Sequence, residues 1–309
     1  MYYVVYGLLY LLSLLPMWLL YLLSDSLAFL LYHVIGYRRK VIRGNLKKAF
    51  PEKSETEIRH IAKKFCRSFT DNFIETIKLL SASKKFIKDH FAIDNPQLLD
   101  NFYDAGRKCQ LHLGHTFNWE VANVAMPLLH RYPFIVAYMP LENRIFERLF
   151  LHLRGRTGTI LLPATRMSRA IIPYRNTQYL LTLVADQAPG APDQSYWLNF
   201  FGQPTPFVRG PERGARIADI PSVFVQFYKT KRGHYRVFLT TLSDHPAQLP
   251  EGELTRRYCR MLEDAIRQTP DLWLWSHRRW KLPWKDEYNK LWIDLTPPPV
   301  LPEPSSRYL

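Results

Sequence analysis

The sequence lacks the short motifs that usually identify a hydrolase, a nucleotide-binding protein or a metalloprotease. It has no Gly-x-Ser-x-Gly elbow, no Gly-x-Gly-x-x-Gly turn, no Walker A loop and no His-Glu-x-x-His pair. Its few cysteines, Cys66, Cys109 and Cys259, are scattered and form no Cys-x-x-Cys pair. This usage indicates a reducing compartment and argues against a disulfide framework and against an all-cysteine zinc site.

Acidic residues are also scarce, because 27 Asp and Glu stand against 42 Lys and Arg, which gives a net charge of +15. A charge of this sign favours anionic partners such as lipid headgroups, an acidic carrier protein or nucleic acid. Hydrophobic residues make up 47% of the 309 residues, which is enough for a sizeable core. No Gly/Ser linker divides residues 37–295, so we expect a single main domain there.

Charged side chains are absent from residues 1–24. The stretch 4–23 is long enough to cross the roughly 30 Å hydrocarbon core as a helix, which Pro16 can kink without preventing. Neither the basic start nor the small-residue cleavage site of a signal peptide is present. Residues 26–36 are too short to span and are expected to lie in the interface. We therefore predict a membrane anchor with an interfacial helix over residues 1–36; a buried helical hairpin of a soluble protein is the alternative.

Basic residues without any acidic neighbour follow this apolar segment: Arg38, Arg39, Lys40, Arg43, Lys47 and Lys48. Positive charge next to a membrane span favours the cytoplasmic side. The sequence thus predicts a single-pass membrane protein whose main domain is cytoplasmic.

The apolar pattern changes along the main domain. In residues 40–90 apolar side chains recur close to every 3.6 positions, which predicts helices. From residue 108, apolar runs at 110–114, 133–138, 159–163, 179–185 and 222–228 alternate with helical stretches at 118–130, 141–153, 165–174 and 211–219. This alternation predicts an α/β fold with a mixed, largely parallel sheet flanked by helices. We further expect a hairpin of strands 222–228 and 235–242, a helix at 253–268, and an extended or disordered proline-rich tail at 296–309.

The most informative stretch is residues 114–120. His115 follows an apolar strand, and Glu120 lies five positions later, where a helix begins. A carboxylate that holds one imidazole nitrogen lets the other take a proton from a hydroxyl. The spacing alone is weak, since a loop histidine and a surface acid at a helix start give the same pattern. Cys109, His112 and His115 superficially suggest a metal site, but strand alternation puts His112 on the opposite face, so we expect no metal.

Two further groups of polar residues are candidates. Asp186 and Gln187 come directly after an apolar strand, where open α/β sheets gather ligands, although an ordinary strand-to-loop turn is the simpler alternative. Arg154 and the run 276–281, which contains Arg278 and Arg279, suit phosphates and carboxylates. Tryptophans interleaved with this run could also stack on single-stranded nucleic acid, but contact with lipid phosphate is the expected use near an anchor.

Taken in order, these features resemble a known family. The order is an apolar N-terminal helix, His115-x4-Glu120, residues 138–143, Arg154, residues 185–187, residues 199–202 and the Trp-rich stretch 273–281. It resembles the bacterial lipid A biosynthesis acyltransferases, the lauroyl and myristoyl transferases of the lysophospholipid acyltransferase superfamily. The resemblance extends from the anchor to Lys281.

The resemblance implies an inner-membrane enzyme with a glycerol-3-phosphate-acyltransferase-like α/β fold. Such an enzyme moves a fatty acyl chain from an acyl-carrier-protein thioester to a hydroxyl of a lipid A precursor, and a thioester donor needs no cofactor. The matching positions imply His115 as general base, Glu120 as its orienting partner, and a substrate-binding set of Arg154, Asp186, Gln187, Arg278 and Arg279.

Two alternatives remain at this stage. The loop after Asp186 and the Trp-rich ending depart from the family pattern, so another acceptor is possible: a glycerophospholipid, an aminolipid or a mannosylated lipid. The other alternative is a non-enzymatic basic protein that binds membrane or nucleic acid. We expect no nucleic-acid partner, because the basic residues are spread over many elements and no nucleic-acid motif is present.

Overall fold

A computed structural model describes residues 1–300 of the chain, so residues 301–309 of the predicted tail lie outside the described part. Its α-helices are α1 Tyr2–Ser13, α2 Met17–Phe29, α3 Arg39–Ala49, α4 Glu55–Lys78, α5 Lys84–His90, α6 Gln97–Asp104, α7 Trp119–Ala125, α8 Arg144–Gly155, α9 Met167–Ala170, α10 Gly210–Ile217 and α11 Glu253–Gln268. Its strands are β1 Phe91–Ile93, β2 Cys109–Leu113, β3 Phe134–Tyr138, β4 Ile160–Pro163, β5 Leu180–Val184, β6 Ser195–Phe200, β7 Gln203–Val208, β8 Ser222–Lys231 and β9 His234–Ser243.

Seven strands form the central sheet in the order β1-β9-β8-β2-β5-β3-β4. All neighbours in it are parallel except β8 and β9, which form an antiparallel hairpin. Helices cover both faces because side chains alternate along each strand: Val223 and Val225 enter the core under α7 and α8, whereas Phe224 enters the core under α4 and α11. The predicted α/β fold with a largely parallel sheet is confirmed.

Individual elements agree with the sequence to different degrees. The helix predicted at 253–268 is α11, and the predicted hairpin is β8–β9, with longer strands than expected. The sequence did not indicate β1, α6 or the separate two-stranded sheet β6–β7. Pro204 and Pro206 argue against a strand at β7, but they fit there because β7 pairs with a single neighbour, β6, and needs no donors on its other side.

The apolar N-terminus is broken at Pro16, which has no N–H to continue a helix. Helix α1 ends at Ser13 and α2 begins at Met17, so the prediction of one helix over residues 4–23 is wrong. A π-helical segment extends α2, and the resulting helix Met17–Ile35 has 19 residues, enough by length and composition to cross a membrane. It includes most of the segment that was expected to lie in the interface. One N-terminal apolar helix therefore fits a single-pass anchor.

Helix α2 runs antiparallel along α4, held by polar contacts that we call the anchor ladder. Residue numbers rise on one helix as they fall on the other, in the pairs Tyr32–Arg59, Asp25–Arg67, Ser24–Asp71 and Tyr21–Glu75. Arg232, in the turn between β8 and β9, bonds both Asp25 and Asp71 and adds the sheet to the ladder. One side of this apolar helix is thus bonded to α4 of the main domain, while apolar residues such as Leu22 and Phe29 stay exposed.

Candidate active site

The pairing of β2 with β5 determines which side chains meet at the carboxyl edge of the sheet. The pairs run from Cys109↔Leu180 to Leu113↔Val184 with a constant offset. The same offset, continued two residues past the strands, sets His115 opposite Asp186. Parallel strands end at a common edge, so the two residues meet where ligands of α/β sheets usually bind.

Asp186 holds His115 through both of its carboxylate oxygens. Oδ1 lies 2.5 Å from Nδ1 of His115, and Oδ2 accepts the His115 backbone N–H at 2.8 Å. Oδ2 also accepts the indole N–H of Trp273 at 2.6 Å. Burial raises the pKa of Asp186, but the charge and hydrogen bonds of His115 and the bond from Trp273 outweigh it, so the pKa lies below its ordinary value. An ionised carboxylate only accepts, so Nδ1 carries the hydrogen, and in the neutral form of the imidazole the lone pair is on Nε2.

Gly114 allows this close approach of β2 to Asp186. A Cβ atom at position 114 would lie 3.0 Å from Oδ2 of Asp186 and 2.5 Å from Cδ1 of Leu262. Any larger residue must therefore displace the Asp186 carboxylate or the Leu262 side chain. The glycine before His115 is needed for space and not for an unusual backbone angle.

The second nitrogen of His115 faces a polar and accessible environment. Nε2 lies 3.2 Å from the Gln187 amide nitrogen, which can donate to it. The His115 side chain is 24% exposed, and a substrate hydroxyl that displaces the Gln187 amide can bond this nitrogen. The Trp119 ring packs edge-to-face on the imidazole at 5.5 Å between centroids and fixes the tilt of the ring. The geometry suits proton transfer at Nε2.

Glu120 bonds Arg154, and no hydrogen bond joins it to His115 in the described structure. Its two oxygens accept from Nε and Nη2 of Arg154 at 2.9 Å and 2.5 Å. We expected Glu120 to hold the His115 imidazole, but in the structure Asp186 bonds it instead. The reason is that the first turn of α7 faces α8, which carries Arg154, whereas His115 lies beside the end of β5. Burial lowers the pKa of Arg154, but Glu120 raises it more, so the guanidinium stays charged.

The C-terminal basic run divides into exposed and buried members. Arg278 is exposed, and its contact with a substrate anion stays a prediction. Arg279 is fully buried, packs on the Phe207 ring at 4.3 Å and donates to the Pro206 carbonyl at 2.7 Å. The prediction that Arg279 binds a substrate phosphate does not fit this position, because no anion can reach it without unfolding the core.

His277 supports the loop that carries the site. Its Nε2 accepts the backbone N–H of Ala188 at 3.0 Å, two residues after Asp186. Burial, helped by the Arg279 charge, lowers the pKa of His277 to about 4. The ring is therefore neutral near pH 7 and can accept this bond. The Trp-rich stretch thus helps the sheet to hold the loop that carries Asp186.

Two residues important to the geometry were missed in the sequence. Asn118 caps α7, accepting the backbone N–H groups of Glu120 and Val121 at 3.0 Å and 3.2 Å, and an Asn just before a helical pattern is a recognisable capping signal. Trp273 lies 87 positions from Asp186 in the chain, so no local pattern could have revealed its bond.

Residues 1–282 match the family of bacterial lipid A biosynthesis acyltransferases. The match covers most of the 309 residues and confirms the resemblance found in the sequence. No curated protein matches the chain.

Proposed function

Because the chain belongs to the bacterial lipid A biosynthesis acyltransferase family, we propose that this acyltransferase moves a fatty acyl chain from an acyl-carrier-protein thioester to a hydroxyl of a lipid A precursor. The observation that carries the proposal is the His115–Asp186 pair, with the imidazole side chain partly exposed. Acyl transfer from a thioester needs a base, positioning and stabilisation of developing charge. The proposed reaction uses no metal ion and no cofactor.

In the proposed reaction His115 is the general base. Nε2 takes the proton of the acceptor hydroxyl while the hydroxyl oxygen attacks the thioester carbonyl carbon. Asp186 holds the ring and stabilises the imidazolium that forms. The tetrahedral intermediate then expels the thiolate, which breaks the C–S bond and leaves the new ester. The imidazolium returns its proton to the thiolate, so the enzyme ends as it began.

A cysteine acyl-enzyme is not part of this proposal. All three cysteines are buried, and burial raises the pKa of each thiol, that of Cys66 to about 11. A thiol with a raised pKa carries almost no thiolate near pH 7 and is a poor nucleophile. Direct attack by the acceptor hydroxyl therefore fits the described side chains better.

We assign Glu120 and Arg154 a positioning role. The bidentate ion pair occupies both Glu120 oxygens, and Oε1 also accepts the Trp119 indole N–H at 3.1 Å. The same indole packs against His115. The ion pair thus holds Glu120, Glu120 holds the indole of Trp119, and this indole sets the tilt of the imidazole. Glu120 therefore acts on His115 through Trp119.

A row of aromatic rings leads from His115 through the buried Phe117 to the surface, and its exposed end suits an acyl chain. From Trp119 the rings of Phe117, Phe69 and Phe73 follow at centroid distances of 5.3, 6.0 and 4.9 Å. The row ends at the surface of α4, where Phe73 is 50% exposed. Hydrocarbon chains gain free energy by covering such rings, about 25 cal/mol for each Å² of apolar surface removed from water.

The positive charge beside the site suits anionic substrates. Between Glu147 and Asp186 the chain has six arginines and no acidic residue. Arg166 and Arg169 are exposed and follow β4 at the same carboxyl edge as His115. Three strand spacings separate β4 from β2, or about 14 Å at ~4.8 Å each. An acidic carrier protein as donor and a phosphorylated acceptor both fit this charge.

We further propose a location at the inner membrane, with residues 1–36 as the anchor, 37–295 as the acyltransferase domain on the cytoplasmic side, and 296–309 as a tail. The supporting observations are the apolar helix Met17–Ile35 and the basic helix α3 that directly follows it.

The test is acyl transfer by the purified full-length protein from an acyl-carrier-protein thioester to a lipid A precursor. We expect His115→Ala to lower kcat by about 10²–10⁴-fold, the usual contribution of a general base. His245→Ala is the matched control, because His245 also pairs with an aspartate, Asp219, but at an exposed position. Near-parental turnover by a folded His115→Ala protein would refute the assignment.

The same assay distinguishes acceptors and donors. Offering a glycerophospholipid or an aminolipid in place of the lipid A precursor tests the alternative acceptors, and transfer to one of these alone would overturn the proposed acceptor. Charge reversal of Arg166 and Arg169 to Glu should raise the KM for the carrier thioester more than that for a short neutral thioester. An equal change for both donors would contradict the proposed role of the positive charge.

A further inference from the structure

A buried carboxylate outside the proposed catalytic pair connects the anchor helix with the active-site loop. Glu75, in the middle of α4, is 4% exposed. Its Oε1 accepts the hydroxyl of Tyr21 at 3.0 Å, and its Oε2 accepts the hydroxyl of Tyr235 at 2.7 Å and the Asn118 amide at 2.9 Å. None of these donors is a cation. Burying a carboxylate with neutral partners alone is costly, so the arrangement calls for an explanation beyond packing.

Glu75 determines how the amide of Asn118 is oriented. A carboxylate only accepts, so Asn118 turns its NH₂ group toward Glu75. The amide oxygen must then face the other way, where it accepts the N–H groups of Glu120 and Val121 and caps α7. Without the carboxylate, the amide loses the partner that selects this orientation, and the first turn of α7 loses a defined cap.

Tyr21 brings the anchor helix into the same network. It lies on α2, in the anchor ladder, and its hydroxyl reaches Glu75 across the α2–α4 interface. The contacts therefore run from α2 through Glu75 and Asn118 to the turn that carries Trp119 and Glu120. Trp119 packs on His115.

We propose that Glu75 is a positioning residue that couples the docking of α2 on α4 to the geometry of the acyl-transfer site. The membrane anchor then has a second role besides holding the enzyme at the bilayer: it completes the hydrogen bonds that set the start of α7. This inference rests on the proposed function for its effect on rate, but its structural part does not.

The test compares two tyrosines of the anchor ladder in the full-length protein. Tyr21→Phe removes a hydroxyl bonded to Glu75, and Tyr32→Phe removes a hydroxyl bonded to the Arg59 carbonyl, which has no link to the site. We expect Tyr21→Phe to lower kcat about three- to tenfold, the usual effect of one hydrogen bond, with unchanged donor KM and unchanged vesicle binding. Tyr32→Phe should stay at the parental kcat. Equal kcat losses in both variants would overturn the inference.

A reciprocal exchange tests Glu75 directly. Glu75→Gln can keep its amide oxygen toward Tyr235 and Asn118 and turn its NH₂ group to the Tyr21 hydroxyl, so it should leave kcat near parental. Asn118→Asp should lower kcat, because it sets two carboxylates against each other, and adding Glu75→Gln restores a donor–acceptor pair, so the double variant should recover part of the loss. A simple sum of the two single losses would show that the contact has no role in the rate, because only interacting residues deviate from additivity.

Hydrogen exchange at the Glu120 and Val121 amides gives a readout that needs no activity. We expect faster exchange at both amides in Tyr21→Phe and parental exchange in Tyr32→Phe. An active His115→Ala protein would refute the proposed function and leave this result standing. Parental exchange and parental kcat in Tyr21→Phe would refute the coupling, whichever lipid is the acceptor.

Discussion

Substitution of Asp186 by asparagine is the sharpest test of the proposed site, because it removes one charge and almost no volume. The carboxylate accepts three hydrogen bonds, two through Oδ2 and one from Nδ1 of His115 through Oδ1. An asparagine has one acceptor oxygen and one NH₂ group. If its oxygen keeps the two bonds at the Oδ2 position, its NH₂ group faces Nδ1 of His115 and donates to it. The imidazole hydrogen then moves to Nε2, and the base is lost.

The number of bonds lost decides which orientation the asparagine adopts. Keeping the His115 ring in its present tautomer would sacrifice both bonds at the Oδ2 position, from the His115 backbone and from Trp273. Each such bond contributes on the order of 1 kcal/mol net, so the orientation that keeps two bonds is preferred. A wrong tautomer in the equivalent position of a serine-protease triad costs about 10⁴ in kcat. We expect a loss of similar size here.

Single-turnover acyl transfer from a thioester measures this loss without interference from product release. Circular dichroism and the unfolding midpoint should confirm that Asp186→Asn folds. Asp219→Asn is the matched control, because it alters an exposed His–Asp pair with His245, whose Nδ1–Oδ2 distance is 2.9 Å. The control should retain parental turnover. A kcat for Asp186→Asn within about tenfold of the parent would refute the argument, since this is all that one lost hydrogen bond explains.

Three further predictions follow from the same contacts. Arg154→Ala should lower the free energy of unfolding by about 3 kcal/mol, because it leaves the Glu120 carboxylate buried and unpaired, and Arg154→Lys should lower it less. Gly114→Ala should lower kcat without unfolding the protein, by less than the roughly hundredfold cost of a ~1 Å misplacement, because its Cβ displaces Asp186 by a few tenths of an ångström. Burial raises the pKa of Glu75 from 4.5 to about 6. Between these two pH values the folded protein keeps a proton on Glu75 that the unfolded chain has released. Binding of this proton stabilises the folded state fully at low pH. The stabilisation is lost as pH rises through about 6, by about 2 kcal/mol in all.

Each of these has a direct measurement. Chemical denaturation of both Arg154 variants gives their free energies of unfolding, and equal values for Ala and Lys would contradict the role of the ion pair. Gly44→Ala is the control for Gly114→Ala, because a Cβ at position 44 meets no atom within 4 Å. For Glu75 the unfolding midpoints of the parent and of Glu75→Gln are compared between pH 4.5 and 7. A difference that does not change with pH would show that the Glu75 carboxyl does not titrate in this window.

The fold could be predicted where the local pattern and the tertiary environment agree. Helix α11 keeps one apolar face over its whole length, and its predicted bounds are those of the structure. The parallel strands are buried, so their apolar runs are clear. The N-terminus was harder, because apolar composition continues through Pro16 and only backbone geometry shows that α1 ends before it. Strand β7 was hidden by prolines that only an edge position tolerates.

The candidate site residues could be identified from local pattern, but their bonding partners could not. His115, Glu120, Asp186 and Gln187 were found by their positions after strands or at a helix start. Which acid meets the imidazole depends on the register between β2 and β5, which are about 70 residues apart in the chain, and no local spacing encodes this. Sequence spacing favoured Glu120 as the partner of the imidazole, because Glu120 is near His115 in the chain. The pairing of β2 with β5 places Asp186 beside the imidazole instead.

The amino-acid sequence by itself determined the chemistry available to this protein: a histidine beyond a buried strand, carboxylates at two nearby element ends, an apolar N-terminus and an excess of arginine. These follow from residue type and short-range periodicity, which act within a few turns or strands. Only the tertiary structure decided the pairing of His115 with Asp186, of Glu120 with Arg154 and of Tyr21 with Glu75. Those pairings depend on how strands and helices far apart in the chain align, and alignment is set by packing over the whole domain.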